Sequence, residues 1–454
     1  MQDVVAMLEA ALPGRVSTAR EALLEATADR SGHSSRTLPL AIVRPESVAE
    51  VQSAMRIASS TSTPVVVRGA GTGLAGGSIA GEGELVLSLG RMDRILEIST
   101  DDELAVVEPG VINQDLNDAL RPHGLFWAPD PASKAISTVG GNIATNAGGL
   151  LCAKYGVTRE AVLGLSVVLA DGELLELGRR TVKGVTGLDL TALMIGSEGT
   201  LGVVVGATLA LRPLPRGGIA TIAAWFDSVE QAARASSVIT SAGLRPAIME
   251  LLDAQAVSAI ARHLHLDLRE SAQLLVHFDG AGAEDEADAA LIIVRSLGGE
   301  AELTRDPQHS EELFRVRRSF HPALASGGTV LIEDVCVPRS ALPAMFARVT
   351  EIESESGISI PTVAHAGDGN MHPNFVFEPD ETQPGGIPPR VWEAADALFE
   401  SALRLGGTLT GEHGVGILKK RWLEQELGGS QLRLQRAIKA QFDPQGILNP
   451  GKAL

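Results

Sequence analysis

The chain is poor in cysteine, in aromatic residues and in positive charge. Two cysteines, Cys152 and Cys336, occur in 454 residues. They supply no disulfide framework and no zinc spacing, and read as thiols of a reducing compartment. Aromatic residues make up 3% of the chain, with Tyr155 the single tyrosine. Lysine and arginine (38) are outnumbered by aspartate and glutamate (56), which leaves a formal net charge of −18. That balance argues against nucleic acid as a partner. It leaves room for a small anionic substrate, because the field inside a site is set locally. No apolar run approaches a membrane span; Gly, Asp or Arg breaks the longest ones. The start, Met1-Gln-Asp-Val-Val, has no basic n-region and no cleavage site. The expectation is therefore no signal peptide and a cytoplasmic location, peripheral at a membrane at most.

What the chain has in quantity is glycine, 49 residues of it, beside an apolar fraction of 44% that is ample for real cores. Its length predicts two or three domains. Residues 71–76, Gly-Thr-Gly-Leu-Ala-Gly, match the G-x-G-x-x-G dinucleotide fingerprint literally. A Rossmann fingerprint opens a crossover helix. Here Ser78-Ile-Ala-Gly-Glu-Gly-Glu84 follows, with two glycines and no apolar period, and Leu85–Leu89 already reads as the next strand. The context rejects NAD. The loop can still offer backbone N–H groups to a pyrophosphate. Two more glycine-rich loops, 140–149 and 196–202, lie in the same half. Glycine costs backbone entropy on folding. Three such loops point to close approach of a large phosphate-bearing ligand; tight turns in a β-rich domain are the alternative.

Helices are predicted at 2–12, 18–28, 45–58 (capped near Ser47) and about 113–123. Strands are predicted at 64–68, 85–89, 104–108 and from 203 through 211. Residues 128–149 show neither period. Residues 164–177 read as a hairpin with Asp171-Gly172 as its two-residue turn. Pro213 and Pro215 mark a boundary, giving domains 1–214 and 215–442, with 443–454 returning to the first. In the second domain, strands (219–225, 274–278, 330–337, 373–377) alternate with helices (228–242, 284–297, 307–320, 340–356, 390–405). That suggests an α+β sandwich, with 379–389 as a surface loop.

Two segments of the second half carry metal-ligand chemistry. His365 and His372 flank Gly-Asp-Gly-Asn, and Glu412-His413 stand in Gly411-Glu-His-Gly414. Two neutral imidazoles and a carboxylate suit Zn²⁺ or Mn²⁺ and leave a position open for a substrate oxygen. The spacing fits no local zinc motif, and histidines simply satisfied in glycine-flanked loops are the alternative. On the helix opened by Asp306-Pro307, Arg317 and His321 share a face. Arginine clamps carboxylates well; a solvated basic surface is the alternative.

Together these motifs resemble the FAD-linked 2-hydroxyacid dehydrogenases of the vanillyl-alcohol oxidase (PCMH-type) flavoprotein superfamily, from about Pro39 to Leu454. The likeness rests on Pro64-Val-Val-Val-Arg-Gly-Ala-Gly-Thr-Gly73, Gly140-Gly-Asn-Ile-Ala-Thr-Asn-Ala-Gly-Gly149, Lys154-Tyr-Gly-Val-Thr158, Ile195-Gly-Ser-Glu-Gly-Thr-Leu-Gly202, His365–His372, Gly411–Gly414 and Asn449-Pro-Gly-Lys452. The glycolate-oxidase-like branch fits best. The resemblance implies a PCMH-type FAD-binding domain followed by an α+β substrate (cap) domain. Arg68, Gly69, Ala70, Gly71, Thr72, Gly73 and Leu74 would cradle the FAD pyrophosphate. Pro131, Ser133, Thr138, Gly141 and Ala144 would line the cofactor, with Glu198, Gly202, Val203 and Asn449 nearby. His365, His372 and Glu412 would hold a divalent metal, zinc or manganese. Arg317 would hold the substrate carboxylate with support from Asn374, and His413 would be the base.

The implied reaction oxidises a D-2-hydroxy acid to the 2-oxo acid, with hydride passing to flavin N5. Electrons would leave to a quinone, a cytochrome or an electron-transfer flavoprotein. A homodimer or a place in a larger complex is compatible with this. Alternatives are a metal-free flavin oxidase using O₂ on an alcohol or aldehyde, and an FAD-binding subunit active only within a glycolate oxidase complex. Three features depart from relatives. The 69–77 loop has no His or Cys, so FAD is expected to be non-covalent. Ile332 stands where the 2-hydroxyglutarate branch tends to carry a basic residue. His321 replaces a smaller hydroxyl residue.

Overall fold

The computed structural model describes residues 4–326, 328–382 and 386–454. Contacts divide the chain into two compact units. Unit 1 gathers Met1–Gly148, Gly156–Leu214 and Glu412–Leu454; unit 2 gathers Gly149–Tyr155 and Pro215–Gly411. Residues 412–442, placed with the second domain on sequence, thus group with unit 1.

Unit 1 holds two principal sheets. In the first the order is Val16–Ser17, Ala41–Val43, Leu85–Ser88, Val65–Arg68. The helix Val48–Ser60 covers its core. Ser47 caps it by accepting from the Glu50 N–H, and Val51, Ala54, Met55 and Ala58 repeat at helical spacing and are buried. They pack among Ala41, Val43, Leu85 and Leu87. Burying a side chain such as Met55 contributes roughly 1.5–3 kcal/mol. Val65–Arg68 and Leu85–Ser88 pair in parallel. The crossover between them, residues 69–84, contains no helix, as the sequence indicated, and the whole connection is loop.

The second sheet is antiparallel in the order Ile95–Ser99, Leu104–Val107, Val203–Ala210, Val162–Val168, Leu174–Gly178. Its hairpin differs from expectation. The Gly172 N–H donates to the Leu169 carbonyl and Leu169 N–H to the Glu173 carbonyl. Ala170 and Asp171 therefore occupy the turn, and Gly172, at φ +86°, takes the bulge position. The aperiodic stretch 128–149 also needs correction. It contains the helix Val139–Thr145, capped by the Thr138 side chain, which accepts from the Gly141 N–H. Two glycines in seven residues hide it from propensity.

Unit 2 is α+β, built on one antiparallel sheet. Its order is Glu300–Thr304, Gly218–Phe226, Ala272–Gly280, Ile248–Leu252, Thr362–His365, Asn370–Phe377, Thr329–Ile332, and Val335–Cys336 also pairs with Asn370–Phe377. The strands 248–252, 300–304 and 362–365 escape the sequence reading, as does the helix Ala254–Leu264. Asp253 caps that helix, and its carboxylate also accepts from the Thr362 N–H. One side chain thus binds helix to strand. Part of the expected loop 379–389 lies outside the described residues.

Candidate functional site

In unit 1 the glycine loop presents unspent donors. Among the described residues, none of the backbone N–H groups from Gly69 to Leu74 donates to a protein acceptor. Backbone donors are normally paired, so such a row is a ready anion cradle. A Cβ on Gly69 would stand 2.5 Å from Thr138 Oγ1, so the loop and the capped end of Val139–Thr145 approach closely only because residue 69 is glycine. Arg68 underlies the loop. Its guanidinium donates to the carbonyls of Glu25, Ala28 and Ser78, and burial lowers its pKa against the pull of Asp29 and Glu25.

The remaining expected FAD contacts divide by what holds them. Pro131 and Ser133 sit in turns whose carbonyls accept from Lys134, and from Ile136 and Ser137. The Ala144 carbonyl accepts from the Glu198 N–H. The Glu198 carboxylate accepts from the N–H groups of Val415 (2.7 Å) and Gly416 (2.8 Å). Burial pushes its pKa up despite those bonds. Asn449 bridges the carbonyls of Gly77 and Glu198, and Lys452 holds Ile79 and Asn449. Gly202 packs on Val167, and Val203, itself buried, opens the strand Val203–Ala210. The cradle and these ties fit a dinucleotide of the FAD kind.

In unit 2 the two histidines are on strands rather than in loops. His365 ends Thr362–His365, and His372 lies within Asn370–Phe377. The tight turn between them needs Gly369, at φ +92°, where a Cβ would stand 2.0 Å from the Val337 carbonyl oxygen. The pairing brings the two imidazoles to 5.0 Å between ring centroids. Glu412 is where the chain leaves unit 2. The preceding residues are anchored there, since buried Asp334 accepts from Thr410 Oγ1 (2.5 Å) and the Gly411 N–H (3.0 Å). One ligand atom each from His365, His372 and Glu412 lie within 4.8 Å of one another. That donor set suits a zinc-type cation. His413 Nε2 is 3.9 Å from Glu412 Oε1.

Arg317 is buried, at 7% exposure, which removes the solvated-surface reading. His321 is exposed, so the two do not share an environment despite their spacing. Sequence reasoning missed the partner of Arg317, which is Glu250 on Ile248–Leu252. Glu250 is fully buried. Its Oε2 accepts from Arg317 Nε (2.9 Å) and Nη2 (2.7 Å), and its Oε1 lies 2.6 Å from His365 Nδ1. Burial drives its pKa up, but His365 and Arg317 outweigh that and hold it below the usual carboxylate range. The available signal was a lone acid inside Ile248-Met-Glu-Leu-Leu252, because a charge in an apolar strand needs a partner. Asn374 donates to the carbonyls of His372 and Pro361. Its buried Oδ1 has no protein donor among the described residues, which leaves an acceptor for a ligand. Ile332 lies directly opposite Asn374 in the sheet.

The fold and these sites define a flavin-dependent oxidoreductase. Residues 39–178 match the family described as FAD binding domain, and residues 218–453 match FAD linked oxidases, C-terminal domain. The chain is 41% identical to the glycolate oxidase subunit GlcD of Bacillus subtilis, over 92% of this chain and 89% of that one. It is 36% identical to the D-lactate dehydrogenase of Archaeoglobus fulgidus over 91% of each chain. It is 35% identical to a D-2-hydroxyglutarate dehydrogenase of Xanthomonas citri pv. viticola, over 91% of this chain and 89% of that one. Among solved structures, p-cresol methylhydroxylase superposes with a TM-score of 0.79 at 17% identity, covering 99% of this chain and 96% of that one. The chain therefore belongs to the FAD-linked oxidase family, with the PCMH-type fold. Among the described residues, no helix is long and apolar enough to cross a membrane.

Proposed function

We propose that this chain oxidises a small D-2-hydroxy acid of the glycolate and lactate class to the 2-oxo acid, with a divalent metal assisting and non-covalent FAD as the immediate oxidant. The observation that carries the reading is the grouping of His365, His372 and Glu412 with a buried arginine, Arg317, tied through Glu250 to one of those histidines. Bound FAD supplies a two-electron acceptor for the Cα hydrogen, and a bound metal supplies a Lewis acid that acidifies the α-hydroxyl. The protein's own part is orientation and proton transfer. Arg317 holds the carboxylate through charge-assisted hydrogen bonds. Asn374 Oδ1 accepts a substrate hydrogen. His413 takes the hydroxyl proton, a role suited to a neutral imidazole near pH 7. Ile332, apolar and opposite Asn374, favours a short substrate side chain over a second carboxylate.

A second reading is a catalytic subunit within a larger complex, as the relatives named glycolate oxidase subunit suggest. The physiological acceptor would then be reached through a partner; quinone, cytochrome and electron-transfer flavoprotein all suit it. One experiment addresses both. The purified chain, yellow with FAD, is mixed anaerobically with D- and L-2-hydroxy acids, and flavin bleaching and dye-linked turnover are followed. Bleaching by D-lactate or glycolate with dye turnover supports an enzyme active alone. Bleaching without turnover supports the obligate subunit. A colourless protein defeats the proposal, and rapid peroxide formation in air favours an oxidase.

A further inference from the structure

We infer that Glu250 is a positioning residue that governs the metal ligand and the substrate clamp together; the inference rests on the metal-assisted reading above. Ile248–Leu252 lies between Ala272–Gly280 and Thr362–His365 in the sheet, and Glu250 is directly opposite His365. Opposite residues project from the same face, so the carboxylate meets the imidazole without a change of rotamer elsewhere. Each carboxylate oxygen has its own client. Oε1 takes His365 Nδ1 at 2.6 Å. Oε2 takes the Nε and Nη2 edge of Arg317.

The consequences follow from the donor inventory. An imidazole that gives Nδ1–H to a carboxylate keeps its lone pair on Nε2, and that nitrogen becomes the more basic ligand. Glu250 therefore decides which nitrogen of His365 faces a metal. A guanidinium whose Nε edge is occupied has its Nη1 side left for a carboxylate. Glu250 therefore also decides which edge of Arg317 a substrate meets. The competing account makes Glu250 only the counter-charge of a buried arginine. The two accounts differ in what happens when Arg317 is removed.

The test compares wild type, Glu250→Gln, Arg317→Met and the double variant, each checked for FAD absorbance. Zinc affinity is measured by competition with a chromophoric chelator, and KM and kcat with D-lactate and glycolate. Glu250→Gln is expected to weaken zinc about 10–100-fold. Arg317→Met is expected to raise KM and leave zinc affinity unchanged. The double variant should bind zinc as weakly as Glu250→Gln. It lacks the stranded arginine charge, so it replaces Glu250→Gln if that protein fails to fold. Wild-type zinc affinity in the double variant overturns the inference and leaves Glu250 as a counter-charge. A wild-type chain that binds no zinc defeats the metal reading itself. Nitrogen-15 NMR of the histidine-labelled, metal-free protein then decides the matter. His365 should carry its proton on Nδ1 in wild type, and a proton on Nε2 instead overturns the inference.

Discussion

Two glutamates, half-buried Glu198 in unit 1 and fully buried Glu250 in unit 2, solve the same problem in opposite ways. Glu198 in unit 1 is satisfied by the backbone N–H groups of Val415 and Gly416. Glu250 in unit 2 is satisfied by the side chains of His365 and Arg317. Backbone amides are dipoles, and they leave Glu198 with a pKa raised by burial. Charged side chains overcome burial, and Glu250 stays below the normal range. The first arrangement fixes where a loop runs. The second fixes the state and direction of reactive groups. One motif is glycine-flanked and the other apolar in sequence, and the partners decide what each carboxylate does.

The largest effect that can sharpen this contrast comes from unit 2. His372→Ala should lower kcat by about a thousandfold, because Lewis-acid stabilisation is worth several kcal/mol. FAD absorbance should be retained; steady-state turnover and elemental analysis check it, and full turnover in a metal-free variant would remove the metal from the proposal. Next is the cofactor cradle. Gly69→Ala places a methyl group against Thr138 Oγ1 and should weaken FAD binding about tenfold or more, a loss of at least about 1.4 kcal/mol, read by flavin release on dilution. Glu198→Gln should then cost about 1–3 kcal/mol of stability, since its amide NH2 replaces one accepting oxygen and leaves one of the Val415 and Gly416 N–H groups unpaired. Denaturant midpoints test this, and zinc affinity should not change. A zinc defect there would erase the distinction between the two glutamates.

The smallest effect concerns a third, half-buried acid. Burial raises Asp253 to about 7, against the pull of its bonds from Ala256 and Thr362. A carboxyl with a folded pKa above its unfolded value binds its proton more tightly when folded. Its stabilising contribution is full below about pH 4 and is lost as pH rises through about 7. Asp253→Asn keeps an acceptor for the cap and removes the titration. Its stability relative to wild type should improve by about 1.4 kcal/mol between pH 6 and pH 8. Urea midpoints at the two pH values check the sign, and a relative loss at pH 8 would reverse it.

How much was legible in the sequence varies with the kind of signal. Val48–Ser60 was readable because cap, apolar spacing and burial coincide. The strand Thr362–His365 was not, and of Asn370–Phe377 only 373–377 was. They are buried almost throughout, so the alternation that marks a half-exposed strand is missing, and the glycines between them read as loop. The metal candidates were nonetheless visible as residue types in short motifs. Glu250 was not, because its partners lie 67 and 115 residues away, and no local pattern records a pairing at that range. Gly172 was recognised as a turn residue but placed one position early, since φ > 0 is needed at the bulge that follows Ala170-Asp171.

The six consecutive amides from Gly69 to Leu74 have a use beyond anchoring. Protons on amides without a protein acceptor exchange with solvent as fast as local access allows. In the chain stripped of flavin, this segment should take up deuterium early while Val65 and Val66, paired in the sheet, stay protected. The loop is therefore a built-in occupancy gauge, and its exchange rate would report the fraction of molecules carrying cofactor without any assay of turnover.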